Sequence, residues 1–185
     1  VAQKNEITPT DISASCGGSI SSCALSLPPD PGLFIANGSL TLTSSFTIPS
    51  NQNYVILVDG NLTINGNITV PIGSTLTFSV SGDIKVNGSV GELTSSSTTP
   101  NLEGYYSTDK SFIVRDDSND TDDDTCPTAD RRLNIAGSVI TNASLSGGSL
   151  KNQRNLCADN KLFPSFFLTE RPDFILNAPL FIQAS

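Results

Sequence analysis

The chain contains no histidine, which removes the serine triad and imidazole metal sites in their usual forms. It also lacks tryptophan and has only three tyrosines, so few rings are available to stack on a sugar. Charged residues make up 15% of the chain, too few for a coiled coil or a charge-driven disordered segment. The charge that exists is lopsided, with a formal net value of −8. Such a surface repels phosphate backbones and anionic headgroups, so nucleic acid is excluded as a partner. No apolar run reaches the roughly 20 residues of a membrane span, and no membrane insertion is expected. No signal peptide is visible at the start, and Val1-Ala2-Gln3-Lys4 reads as a mature end left after one was removed.

What the chain does have is Val, Ile, Leu and Thr in a strand-like mixture, with a quarter of its residues Ser or Thr. Its 185 residues suffice for one domain with a sizeable core. Glycine at Gly38, Gly60 and Gly82 recurs every 22 residues, each followed by an alternating segment: Leu40-Thr41-Leu42, Leu62-Thr63-Ile64, Ile84-Lys85-Val86. The match extends to Phe46 with Ile68, Pro49 with Pro71, Tyr54 with Leu76, and Ile56 with Phe78. Alternation is the period of a half-buried strand, and a residue-by-residue repeat is that of a solenoid. The expected fold is all-β: a short right-handed parallel β-solenoid with 22-residue turns, an irregular N-terminal arm and a C-terminal tail. An antiparallel sandwich would not require columns of matched residues.

A fourth copy is read at Leu133–Val139, aligned with Ile84–Val90. The expected domains are an extended arm with a small disulfide loop over 1–32, and the solenoid over 33–185 with an acidic insertion at about 92–130. The proline-interrupted stretch from Phe163 to Ile182 reads as too broken for a helix and is expected to cover a face or end.

Four cysteines, Cys16, Cys23, Cys126 and Cys157, allow three pairings, of which Cys16–Cys23 with Cys126–Cys157 closes one local loop each. The rival, a zinc site, needs close cysteine pairs that are absent. Disulfides imply an oxidising, extracellular setting, and the protein is expected to be secreted or at the cell surface. Six glycosylation sequons stand at Asn37, Asn61, Asn67, Asn87, Asn119 and Asn142, although Asn and Ser also serve as turn residues here.

Candidate chemistry is sparse, and no catalytic residue is assigned. Asp59 and Asp83, with Lys85 nearby, are the carboxylates that a sugar-cleaving solenoid would use, and equally the residues of corners and outward strand positions. The acidic run supplies hard oxygen ligands, and Asp117, Asn119, Asp122 and Asp124 form the calcium site it suggests, calcium being the sole cofactor considered. The competing reading of that run is a solvated, self-repelling loop.

Val55–Leu62, Leu102–Tyr106, Leu133–Val139 and Arg171–Pro179 together resemble uncharacterised secreted β-solenoid surface proteins of uncultured bacteria, over roughly residues 50–182. The resemblance implies a cell-surface location and no established activity. It departs in the acidic insertion, which is shorter in such proteins. A looser similarity is to bactofilins, whose short β-solenoids polymerise end to end.

Two functions follow. The first is a structural subunit of an extracellular filament or surface assembly, not an enzyme, with itself as partner. Solenoid ends expose unpaired backbone, no amphipathic helix is present to cap them, and uncapped ends stack or accept an added strand. Residues 1–15, through Ile7 and Ile12, or the tail from Phe174 to Ile182, would be the donated strand. The alternative is a carbohydrate-binding or adhesion module, with glycans as partner and Tyr105 and Tyr106 as the platform.

Overall fold

The computed structural model describes residues 8–116, 129–145 and 147–176. A short strand β1 (Thr10–Asp11) precedes the first full turn, made of β2 (Gly32–Ala36), β3 (Leu40–Leu42) and β4 (Phe46–Thr47). The second turn repeats it with β5 (Asn53–Val58), β6 (Leu62–Ile64) and β7 (Ile68–Thr69). The third holds β8 (Thr75–Val80) and β9 (Ile84–Val86), and the fourth β10 (Leu102–Thr108) and β11 (Phe112–Val114). A fifth comprises β12 (Leu133–Ile140) and β13 (Leu150–Asn152), and β14 (Phe166–Thr169) opens the next.

Successive turns build two long sheets, ordered β1-β2-β5-β8-β10-β12-β14 and β13-β11-β9-β6-β3. A short third ladder joins β4 to β7, and every ladder between these strands is parallel. The chain is thus an all-β parallel solenoid.

The register follows the repeat. Leu40, Leu62 and Ile84 pair in one column, and Leu42, Ile64 and Val86 in the next. Phe34, Ile56 and Phe78 form a third. All nine are buried, which is why alternate positions in the short strands are apolar. The polar positions between strands are ladders too. Ser39 Oγ accepts the Asn61 amide at 3.0 Å and Ser45 Oγ that of Asn67 at 2.8 Å. Asn61 Oδ1 accepts the Asp83 amide at 2.8 Å, and Thr75 Oγ1 donates to Asn53 Oδ1 at 2.9 Å. Each bond spans 22 residues; the Ser39, Ser45 and Asn61 side chains satisfy backbone amides at the corners of stacked turns, and Thr75 with Asn53 links side chains of successive turns. The glycines answer to the same closeness. A Cβ on Gly66 would lie 2.2 Å from the Ser45 amide nitrogen, and one on Gly82 2.6 Å from the Gly60 carbonyl oxygen.

Beyond Val90 the solenoid continues with longer turns. Tyr106 pairs with Phe78, 28 residues back, and Val139 with Tyr106, 33 back. This corrects two expectations. Residues 102–114, placed inside the insertion, are two full strands. Leu133–Val139 stacks on β10, continuing the column of Phe78, and not on Ile84–Val90; the partners of β9 are Phe112–Val114. The two segments share alternation and a Gly-Ser pair, but alternation occurs in strands of both sheets and is no guide to which one a segment joins.

In the N-terminal arm the Cys16–Cys23 disulfide forms as expected, but the segment that carries it is not extended. Ile12–Cys16 and Ile20–Ser22 form 3₁₀ turns linked by the Cys16–Cys23 disulfide, with Cα atoms 4.4 Å apart. Ile12, Cys16, Cys23 and Leu25 are buried in the common core. The Cys23 amide donates to the Thr41 carbonyl and its own carbonyl accepts from Thr43, so Cys23 takes the place of a strand above Leu42. The outer side is polar, with Gly17, Gly18, Ser19, Ser21 and Ser22 facing outward. This is a cap made without an amphipathic helix.

Candidate functional site: the C-terminal edge and its clamp

The two ends of the solenoid differ. At the far end β13 is paired on one side by β11, and Leu150, Lys151 and Asn152 are all exposed. Among the described strands β14 pairs only with β12, and Leu168 and Thr169 at its close are exposed. Of the exposed large apolar residues, Ile140, Leu145, Leu150, Leu162 and Leu168 belong to this last turn and its connections. An unpaired edge with exposed Leu residues is a template for another strand.

Buried arginines brace the turns beneath. Arg154 donates from Nε to the Arg115 carbonyl at 2.8 Å, from Nη1 to that of Arg131 at 2.9 Å and from Nη2 to that of Asn87 at 2.9 Å. Arg132 donates to Asn134 Oδ1 and the Ser95 carbonyl, and its guanidinium lies 5.1 Å from the centre of the Phe167 ring. Asn134 Nδ2 in turn donates to the Ser97 and Thr99 carbonyls. The Ser/Thr-rich loop before β10 is thereby tied down.

After β14 the chain folds back on the flank of the solenoid. Pro172–Leu176 forms a short α-helix, α1, where the prolines argued against one; Pro172 opens it, where a missing N–H costs nothing. Arg171 anchors this return. It grips Asp173 through Nε and Nη2, both at 2.7 Å, and Glu103 through Nη1 at 2.8 Å. Its remaining donors reach the Val70 carbonyl at 3.3 and 3.4 Å, so all five N–H groups are engaged. Its guanidinium also covers Phe174 at 4.3 Å from the ring centre. Hydrogen bonding to Arg171 holds the Asp173 carboxyl below the ordinary carboxylate range, and the Arg171 guanidinium is raised chiefly by Asp173. Between this clamp and the sheet lies a cavity of about 350 Å³ lined by Tyr105, Gly137, Ser138, Leu168, Glu170, Arg171 and Pro172.

The tyrosine platform is not formed. Tyr106 is buried, 5.8 Å from Phe78 in a stacked pair, its hydroxyl donating to the Glu103 carbonyl. Tyr105 is half-buried against Phe174, ring centres 5.4 Å apart. Tyr54 is buried too, donating to the Pro28 carbonyl at 2.5 Å. Asp59 and Asp83 each bind the next turn: Asp59 accepts from Ser81 Oγ at 3.4 Å, Asp83 from the Ser111 amide at 3.1 Å. Lys85 sits half-buried on β9.

Ile12 is in the core of its own chain, and Ile7 lies outside the described residues. So do Asp117, Asn119, Asp122, Asp124 and Cys126, while Cys157 is disulfide-bonded. Asn37 and Asn67 are exposed, whereas Asn61, Asn87 and Asn142 are half-buried with their Oδ1 atoms holding backbone amides. No described helix is long and apolar enough to cross a membrane. The arginine braces carry no local sequence signature, since Arg154 donates to carbonyls in three successive turns.

No curated protein and no solved structure matches the chain. The family described as a domain of unknown function, DUF7305, matches residues 10–125, which run from the capped end through the fourth turn, and the chain belongs to that family.

Proposed function

We propose that the protein is a structural subunit of an extracellular or cell-surface assembly, joined to its neighbour at the C-terminal edge. The carrying observation is the contrast between the ends: a disulfide-braced polar cap over β2 and β3, and strands β13 and β14, each with one partner among the described strands and bearing Leu150 and Leu168. Stacking or strand addition at an open edge supplies main-chain hydrogen bonds and hides those leucines. The disulfide supports the extracellular setting. The cap narrows the earlier expectation, because a finished end is a poor acceptor for head-to-tail stacking. Electron microscopy and light scattering of the purified protein test this reading, with Leu168→Asp as the edge variant. Assemblies that dissolve in the variant are expected; monomers at high concentration contradict it.

A further inference from the structure

We infer that the partner at the C-terminal edge is a second copy of this chain, related by a twofold axis that sets the β13 edge of one copy against the β14 edge of the other. This rests on the reading of that edge as the joint. The capped end is covered by its own chain: β1 is two residues long, and the 3₁₀ turns braced by the Cys16–Cys23 disulfide lie over the core beside it. The open end is the surface that needs covering, and an isologous contact covers the same patch on both copies at once.

Charge selects the arrangement. Lys151 is the central, exposed residue of β13, and Glu170 is the exposed residue immediately after β14. Neither makes an ion pair among the described residues. A lysine on an edge strand blocks pairing with a neutral or basic strand. Setting β13 on β13 brings Lys151 to Lys151, and β14 on β14 brings Glu170 to Glu170. Setting β13 on β14 brings Lys151 to Glu170 twice, by symmetry. Such a contact closes on itself and stops at two chains.

Sedimentation over a wide concentration range tests this on the wild type, Lys151→Glu, the double variant Lys151→Glu/Glu170→Lys, and Leu168→Asp, each first checked for a native circular-dichroism melt. The expected result is a limiting mass of two chains, a dimer weakened about tenfold or more in Lys151→Glu, and recovery in the double variant. Failure of the double variant to recover overturns the twofold arrangement. Masses that grow beyond two and collapse in Leu168→Asp overturn it as well, yet leave the edge as the joint. Monomers throughout, or a dimer indifferent to both Lys151→Glu and Leu168→Asp, overturn the inference and the proposed function together.

Discussion

Glu103 and Arg171 stand 68 residues apart and meet at 2.8 Å, while the other Glu103 oxygen accepts the Val70 amide at 2.7 Å. Through this one carboxylate the fourth turn, the second turn and the returning C-terminal segment share a joint. Arg171→Gln removes the ion pairs to Glu103 and Asp173 and the guanidinium cover over Phe174. The expected loss is about 2 kcal/mol, with most of the local effect in α1. Thermal melting checks the first, and faster proteolytic cleavage after Thr169 the second.

The same joint responds to acid. The Asp173 carboxyl is depressed in the folded chain by its hydrogen bond to Arg171, so its contribution is present above the ordinary carboxylate pKa and lost as pH falls through the lower folded value. Cleavage after Thr169 is expected to accelerate only below about pH 4. The Asp173→Asn variant should show that acid-like rate already at neutral pH.

Alkali acts on the core. Burial raises the Tyr106 hydroxyl far above its ordinary value, with Glu103 adding to it, and burial raises Tyr54 as well. A raised tyrosine favours the folded state below about pH 10 and costs stability above it, where the unfolded chain releases the proton first. Tyrosinate absorbance should therefore appear together with loss of the β circular-dichroism signal. A full three-tyrosine titration in a chain still folded would contradict the burial of Tyr106.

Gly66→Ala tests the closeness of stacking. Its Cβ would meet the Ser44 and Ser45 backbone at 2.2–2.3 Å, a clash no rotamer relieves, and roughly 3 kcal/mol or more should be lost. Gly17→Ala has open space around it and only the left-handed backbone, φ 69°, to resist it, so about 1 kcal/mol is expected. Urea melts of the two variants give the comparison.

Where one turn predicted the next, the fold was legible. Gly38, Gly60 and Gly82 mark equivalent corners, and the columns below them follow from the 22-residue repeat together with alternation. Legibility failed where spacing changed: Leu102–Thr108 alternates like any other strand, but 28- and 33-residue turns hide its place until the pairing with Phe78 and Val139 is known. The cap was hidden for another reason. Ile12, Cys16, Cys23 and Leu25 follow no single period, because 3₁₀ turns closed by a disulfide bring them inward. Tyr105 and Tyr106 show the limit for sites, since adjacent strand residues face opposite sides and cannot form one platform.

The central claim is that this solenoid is finished at one end and joined at the other. Amide hydrogen exchange, compared between the associated and dissociated protein, tests it most directly. The account predicts that association adds protection at residues 150–152 and 166–169 and leaves residues 10–42 unchanged. Added protection at the capped end, or β13 and β14 edge amides already fully protected in the monomer, would contradict it.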